Sequence, residues 1–306
     1  MPKFSIIIPH KNCPELLSRC IGSIPDREDI EIILVDDNSD DIIKFDNYLK
    51  IIYRNNLHVI KSNQTRWAGG TRNLGLDVAQ GDWVLFLDAD DFFLDNAFNL
   101  FFSFASSECD IIYFKHESVF SDTLKPCSRF AYRNDAIYRF TRNPNNRNLD
   151  ALKFGDIVPW GKLIRRSLIE ENSIRFDEIP CCEDVMFITK CAQYAQKIST
   201  CDSSVYCLTH RASSLMMSHS KEKDWINLNV SLQRNHLLGI LGKKKQMIRL
   251  ISLVFLAFRR YGLSESNKYI IEIWKNNHSL FEGNYFSWYD LKDRIIRIFR
   301  KDVFQA

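Results

Sequence analysis

Three carboxylates gather within four positions at Asp88-Ala89-Asp90-Asp91, directly after the apolar run Trp83-Val84-Leu85-Phe86-Leu87. Charges this close repel one another unless something positive sits among them. Oxygen-only donors suit Mg²⁺ or Mn²⁺ held against a phosphate better than they suit zinc. The same cluster also fits a solvated acidic turn that ends a strand. The two readings separate on whether other polar residues are brought to the same place.

The neighbouring elements bring them there. The chain opens with a short apolar run, Phe4-Ser5-Ile6-Ile7-Ile8, stopped at Pro9-His10-Lys11-Asn12. A second strand, Glu31 to Val35, ends in Asp36-Asp37-Asn38-Ser39-Asp40, and a third, Leu57 to Ile60, leads toward the glycines and Arg72 of Trp67 to Gly75. Nearly continuous apolar strands separated by helical or loop crossovers imply a parallel sheet covered on both faces. Ligands of such sheets bind beyond the carboxyl ends of the strands. Pro9 to Asn12, Asp36 to Asp40 and Asp88 to Asp91 therefore converge on one edge, and that convergence is a site.

Taken in order, Ser5 to Asn12, Val35 to Asp40, Gly69 to Gly75 and Leu87 to Asp91 resemble the inverting family 2 glycosyltransferases of the GT-A fold. Farther on, Val158-Pro159-Trp160-Gly161-Lys162-Leu163 and Cys182-Glu183-Asp184-Val185-Met186-Phe187 resemble the acceptor-side half of the same family. Lys11 stands where that family usually carries an aromatic residue. The resemblance implies an α/β, Rossmann-like, mostly parallel sheet with helices on both faces over residues 1–215. Residues 1–100 would form the nucleotide-binding half and 101–215 the acceptor-side half, with a basic helical region over 216–306. It also implies metal-dependent transfer of a sugar from a nucleotide-sugar, most simply a UDP-sugar, to a hydroxyl of a glycan or lipid-linked acceptor in surface-polysaccharide synthesis.

The resemblance assigns residues by position. Asp90 is the ligand of Mn²⁺ or Mg²⁺, and Asp88 lies toward ribose and metal. His210-Arg211 falls where relatives place a histidine or arginine that closes over the metal and diphosphate, although a lone histidine is also an ordinary structural residue. Asp37 resembles the acceptor of the uracil N3–H, while its neighbour Asp36 also fits a turn cap. Arg72 resembles the arginine that contacts base or phosphate, against an alternative role in a surface salt bridge. Pro9, His10, Asn12, Gly70 and Ala89 complete the nucleotide-sugar site. Asp184 is the candidate general base, with Glu183 placing the acceptor, although a carboxylate opening a helix is also an ordinary cap. Asp91 belongs to the following loop or to the acceptor, and Trp160 either stacks on an acceptor sugar or fills the core. The stretch Asp122 to Asp150, rich in Arg and Asn, reads as an irregular loop near the acceptor side.

Composition bounds the alternatives. The nine cysteines include no Cys-x-x-Cys pair, so reduced thiols in a cytoplasmic protein are expected. Met1-Pro2-Lys3 runs directly into the first strand, with no secretory signal pattern. The longest apolar run, Leu250 to Phe258, falls short of the roughly 20 residues a membrane span needs. Residues from Lys221 onward carry 16 Lys plus Arg against eight Asp plus Glu, a surplus of +8 in a chain whose total is +3. Leu291, Ile295, Ile298 and Phe299 fall at helical spacing among basic residues, which fits either a packed amphipathic helix or a peripheral contact with an anionic membrane. No nucleic-acid motif accompanies the charge. Two other classes compete with sugar transfer. A nucleotidyltransferase shares a similar architecture, but its glycine motif would follow the first strand, and a non-catalytic scaffold could retain the fold.

Overall fold

The computed structural model describes residues 1–128, 130–211 and 220–283. The chain divides into two compact units, Met1–Ser218 and His219–Ala306. In the first unit, β1 (Phe4–His10), β2 (Ile30–Asp36) and β3 (Leu57–Lys61) alternate with α1 (Pro14–Gly22), α2 (Ile42–Ile52) and α3 (Trp67–Val78). There follow β4 (Trp83–Phe86), β5 (Phe92–Phe93), α4 (Ala97–Phe104) and β6 (Ile111–Phe120). Then come α5 (Asn134–Arg142), α6 (Asn146–Gly155), β7 (Lys162–Arg165), α7 (Arg166–Glu171), α8 (Glu183–Tyr194) and β8 (Ile198–His210).

The eight strands lie in one sheet in the order β3-β2-β1-β4-β7-β6-β8-β5. β1 is the parallel partner of both β2 and β4, with Ile6 opposite Ile32 on one side and Leu85 on the other. Every residue of β2 and β4 is buried, Glu31 and Asp36 of β2 included, as suits strands covered on both faces. Successive side chains point to opposite faces. Ile6 and Ile8 therefore enter one core with Trp83 and Phe101, while Ile7 enters a second with Phe86 and Phe187. Helices cover both faces, and only β3, at the sheet edge, leaves much of its length exposed. Antiparallel β7 joins β4 to β6, so the sheet is mixed beyond its first four strands.

The expectation of an irregular loop over residues 122–150 is corrected. Residues 134–142 and 146–155 are helical, and the Asn145 side chain caps α6 by accepting from the Asn148 N–H at 2.9 Å. Ile137 and Phe140, spaced three apart, anchor α5 in the second core, a pattern that the surrounding Arg and Asn residues obscure.

The second unit contains α9 (Lys221–Ile240), α10 (Ile251–Tyr261) and α11 (Leu263–Lys275) around Leu228, Leu232, Leu253, Val254, Tyr269 and Ile273. Among the described residues no helix is long and apolar enough to cross a membrane. The amphipathic segment 291–301 lies outside the described residues.

α3 reaches the sheet and the 177–178 loop closely because it carries glycines. A Cβ on Gly69 would stand 2.1 Å from the backbone oxygen of Asp177. Gly69→Ala should therefore push α3 from that loop and lower stability by about 1–3 kcal/mol, the usual cost of overpacking. Urea unfolding checks this: an unchanged midpoint would show that the loop gives way freely.

Candidate active site

The acidic segment after β4 folds into a tight turn, the Asp91 N–H donating to the Asp88 carbonyl at 2.9 Å. This turn sends the three carboxylates to three different partners. Asp88 Oδ1 accepts from Arg72 Nη2 of α3 at 2.8 Å. Asp90 Oδ2 accepts from Arg211 Nη2, just beyond β8, at 2.8 Å. Asp91, buried, accepts from the Tyr206 hydroxyl at 2.8 Å and from the Thr209 N–H at 2.7 Å. Burial and then the charge of Asp88 raise the Asp90 pKa above the usual carboxylate range, with Arg211 opposing. Asp91 is pushed well above that range by burial and by the charges of Asp90 and Asp88.

Arg72 is the hinge between the two halves of the unit. Its Nη1 donates to Glu183 Oε1 at 2.9 Å, so one buried guanidinium holds the end of β4 and the first turn of α8 together. Burial works against its charge, yet Asp88 and Glu183 raise its pKa. The residue at the N-cap of α8 is Cys182, in the left-handed region at φ 62°, and its side chain makes no capping bond. Asp184 therefore sits in the first helical turn and not at the cap. Burial, and then the adjacent Glu183 charge, push its carboxyl up to about 7, against the pull of Arg72 and Arg133. A carboxylate poised near neutrality is suited to accept a proton at physiological pH.

At the ends of β1 and β2, Asp37 is buried, and its Oδ1 accepts the Arg66 N–H at 2.6 Å. Lys11 donates to the Asp37 carbonyl at 2.9 Å and stands 3.5 Å from its carboxylate, so the residue that departs from the family pattern neutralises this corner. Asn12 pairs with Asp40 through its amide, at 2.9 Å in each direction. Gly70 and Ala89 are buried at the turn and helix that frame the site, and Pro9 is half-buried beside them. Asp36 takes the capping role, accepting from the Ser39 N–H at 2.9 Å.

Four of the expected site residues also take packing or structural partners. His10 faces inward: its Nδ1 donates to Asp36 at 2.8 Å, its Nε2 accepts the Cys13 N–H at 3.3 Å, and its ring stacks on Phe45. Trp160 packs in the core, stacked on Tyr206 with centroids 5.1 Å apart. Asp91 holds β8 through Tyr206 and Thr209. His210 ends the β6–β8 ladder with its ring against Phe120. Among the described residues no group of three or more His, Cys, Asp or Glu forms a ready ligand set. Two carboxylates on one turn nevertheless fit a Mg²⁺- or Mn²⁺-type ion that completes its shell from substrate phosphates and water.

The residue that sequence reading missed is Arg133. Arg211, which the resemblance offered beside His210, lies 121 positions from its partner Asp90. Arg133 joins a buried network in which Asp156 accepts from Lys162 at 2.7 Å and from Arg133 at 3.2 Å. A Lys in an otherwise apolar strand, Lys162-Leu163-Ile164, is the one signal that pointed there.

Comparison with known proteins bears on family and fold. The family model described as Glycosyl transferase family 2 matches residues 5–172. The poly(ribitol-phosphate) beta-glucosyltransferase of Bacillus spizizenii is 30% identical over 217 residues, covering 68% of this chain and 32% of that protein. The poly(ribitol-phosphate) beta-N-acetylglucosaminyltransferase TarS of Staphylococcus aureus is 26% identical over 245 residues, covering 71% of this chain and 37% of that protein. The chain thus spans about a third of the length of these two relatives. The crystal structure of S. aureus TarS 1-349 in complex with UDP-GlcNAc matches with a TM-score of 0.68 at 22% identity, covering 90% of this chain and 80% of that one. That likeness establishes a shared fold.

Removing the Arg72 cation isolates its structural role. Breaking a buried pair by deleting one partner costs about 3–5 kcal/mol, and Asp88 is partly solvated, so Arg72→Met should cost about 2–3 kcal/mol. Arg72→Lys should rescue little of it, because a single ammonium does not reproduce the fork that spans Asp88 and Glu183. Chemical denaturation of both variants measures the difference.

Proposed function

Because the chain belongs to the family 2 glycosyltransferases, we propose that it moves a sugar from a UDP-sugar to an acceptor hydroxyl, with inversion at the anomeric carbon. The observation that carries this reading is the Asp88–Arg72–Glu183 link, which sets the proposed donor carboxylates beside the raised-pKa Asp184. Asp184 takes the proton of the acceptor hydroxyl as that oxygen attacks the face opposite the diphosphate. Asp37, its carboxylate oriented by Arg66 and Lys11, accepts from the base of the nucleotide. Asp88 and Asp90 would hold a divalent cation, which when bound stabilises the departing diphosphate as a Lewis acid. Glu183, fixed by Arg72, orients the acceptor beside Asp184.

The UDP and UDP-GlcNAc complexes of the TarS neighbours support a UDP-linked donor. The poly(ribitol-phosphate) and undecaprenol-linked names among the relatives support a surface-polymer or lipid-linked acceptor.

The reaction is tested by product and by variant. Incubation with UDP-sugars should release UDP; release of pyrophosphate instead would make the protein a nucleotidyltransferase. Asp90→Asn should lose Mn²⁺-dependent UDP binding in isothermal titration while keeping its melting temperature, and full turnover in EDTA would remove the cation from the mechanism.

Asp184→Asn should retain UDP binding and lower the rate by about 10²–10⁴, the range for a positioned base. The base acts only when ionised. With its pKa near 7, wild-type kcat/KM should fall as pH drops through 7 and level off above it. A flat profile across that range would assign the proton transfer elsewhere.

A further inference from the structure

The second unit carries an apolar surface that its own core leaves uncovered. On α10 the buried row is Leu253, Val254 and Ala257, and Phe255 and Phe258 lie on the side turned away from it, 58% and 49% exposed. On α11 the buried row is Ser266, Tyr269 and Ile273, and Ile271 and Trp274 lie away from it, 49% and 62% exposed. Scattered apolar residues on a surface need no explanation. Here they form a stripe along each of two helices that pack on one another, and that clustering calls for a partner.

Charge identifies the partner's chemistry. Over residues 220–283 the chain carries eleven Lys plus Arg against five Asp plus Glu. α10 contains no acidic residue, while α11 balances Glu265 and Glu272 with Lys268 and Lys275; exposed Arg259 adjoins Phe258 as exposed Lys275 adjoins Trp274. A second copy of the chain would bring the same positive surplus against itself across a two-fold contact. Aromatic rings and aliphatic side chains flanked by cations are the composition that settles at the boundary between headgroups and acyl chains. With no helix able to span a bilayer among the described residues, such contact is peripheral.

We propose that the exposed faces of α10 and α11 seat on an anionic lipid surface, Phe255, Phe258, Ile271 and Trp274 entering the interface while Arg259 and Lys275 meet the headgroups. The surface is independent of the catalytic reading, because none of these side chains belongs to the Asp88–Asp184 site. It places the enzyme where a lipid-linked acceptor or a growing surface polymer is made.

The test is flotation of the full chain with phosphatidylglycerol–phosphatidylcholine vesicles and with phosphatidylcholine alone. Binding is expected on the anionic vesicles only and should weaken with salt, since charge attraction is screened within about 10 Å at 0.1 M. Phe255→Ser with Phe258→Ser, and separately Trp274→Ser, should each lower partitioning about tenfold with UDP release from a soluble donor unchanged. If either set lowers the melting temperature, the surface pair Arg259→Glu with Lys275→Glu decides, with the same loss expected. The proposal is overturned if wild type ignores anionic vesicles or binds neutral ones equally. Wild-type binding by all these variants, with loss only in Arg294→Gln, Arg297→Gln and Arg300→Gln together, would move the contact to the chain end. A concentration-dependent dimer that Phe255→Ser dissolves, without vesicle binding, would make the face a self-interface.

Discussion

Negative charge concentrated at the end of β4 is the constraint around which the first unit is arranged. Two unit charges about 4 Å apart interact by about 4 kcal/mol at the effective dielectric of a protein surface, a large share of the 5–15 kcal/mol that holds a typical domain folded. Asp88, Asp90 and Asp91 cannot all sit in one place unpaired. The turn separates them, and three different elements answer: α3 with Arg72, the segment after β8 with Arg211, and β8 itself with Tyr206 and Thr209. Each answer ties a distant element to the same four residues. The acidic turn thereby becomes the point where α3, β4 and β8 are registered against one another.

Sheet order makes this possible. β4 is the last strand of the parallel run and the first to take an antiparallel neighbour, so its end lies where the β1–β3 half meets the β6–β8 half. A ligand bound there touches both. Arg72 makes the junction rigid, since its planar fork satisfies Asp88 on one side and Glu183 on the other. Its rim of glycines serves the same end, because Gly69 and Gly70 let α3 approach the 177–178 loop that precedes α8.

The β6–β8 half has its own buried electrostatics, and they reach the proposed base. Lys162 is fully enclosed, over the Tyr113 ring, and is stabilised by Asp156 and by the Val158 carbonyl at 2.7 Å each. Arg133 shares Asp156 from the far side. Nearby His116, driven by burial to about 4, stays neutral and adds no further cation. Arg133 and Arg72 lower the Asp184 pKa while burial and Glu183 raise it, and the balance falls near 7. Loss of any one of these groups would move the working pH of the base without touching the reacting atoms.

The parallel strands and the polar residues at their ends were legible in the sequence, because apolar runs and the turn residues that stop them are local signals. Asp36 to Asp40 and Asp88 to Asp91 fell at strand ends for that reason, and the family resemblance supplied order across Ser5 to Phe187. What remained illegible was the division of labour among neighbours. Asp90 and Asp91 are adjacent and chemically identical, yet one lines the site and the other is sealed beneath β8. His10, Trp160 and His210 had the right chemistry at the right strand ends, but the direction of a side chain depends on what packs against it: Phe45 for His10, Tyr206 for Trp160 and Phe120 for His210. Arg72 pairs with Glu183 across 111 positions and Arg211 with Asp90 across 121. The sequence by itself determined the first four strands, their parallel pairing and the edge where the polar residues meet. Only the tertiary structure decided which carboxylates are exposed, which are neutralised and which is poised to take a proton, because burial and Coulomb interactions sum over neighbours in space and carry no signature along the chain.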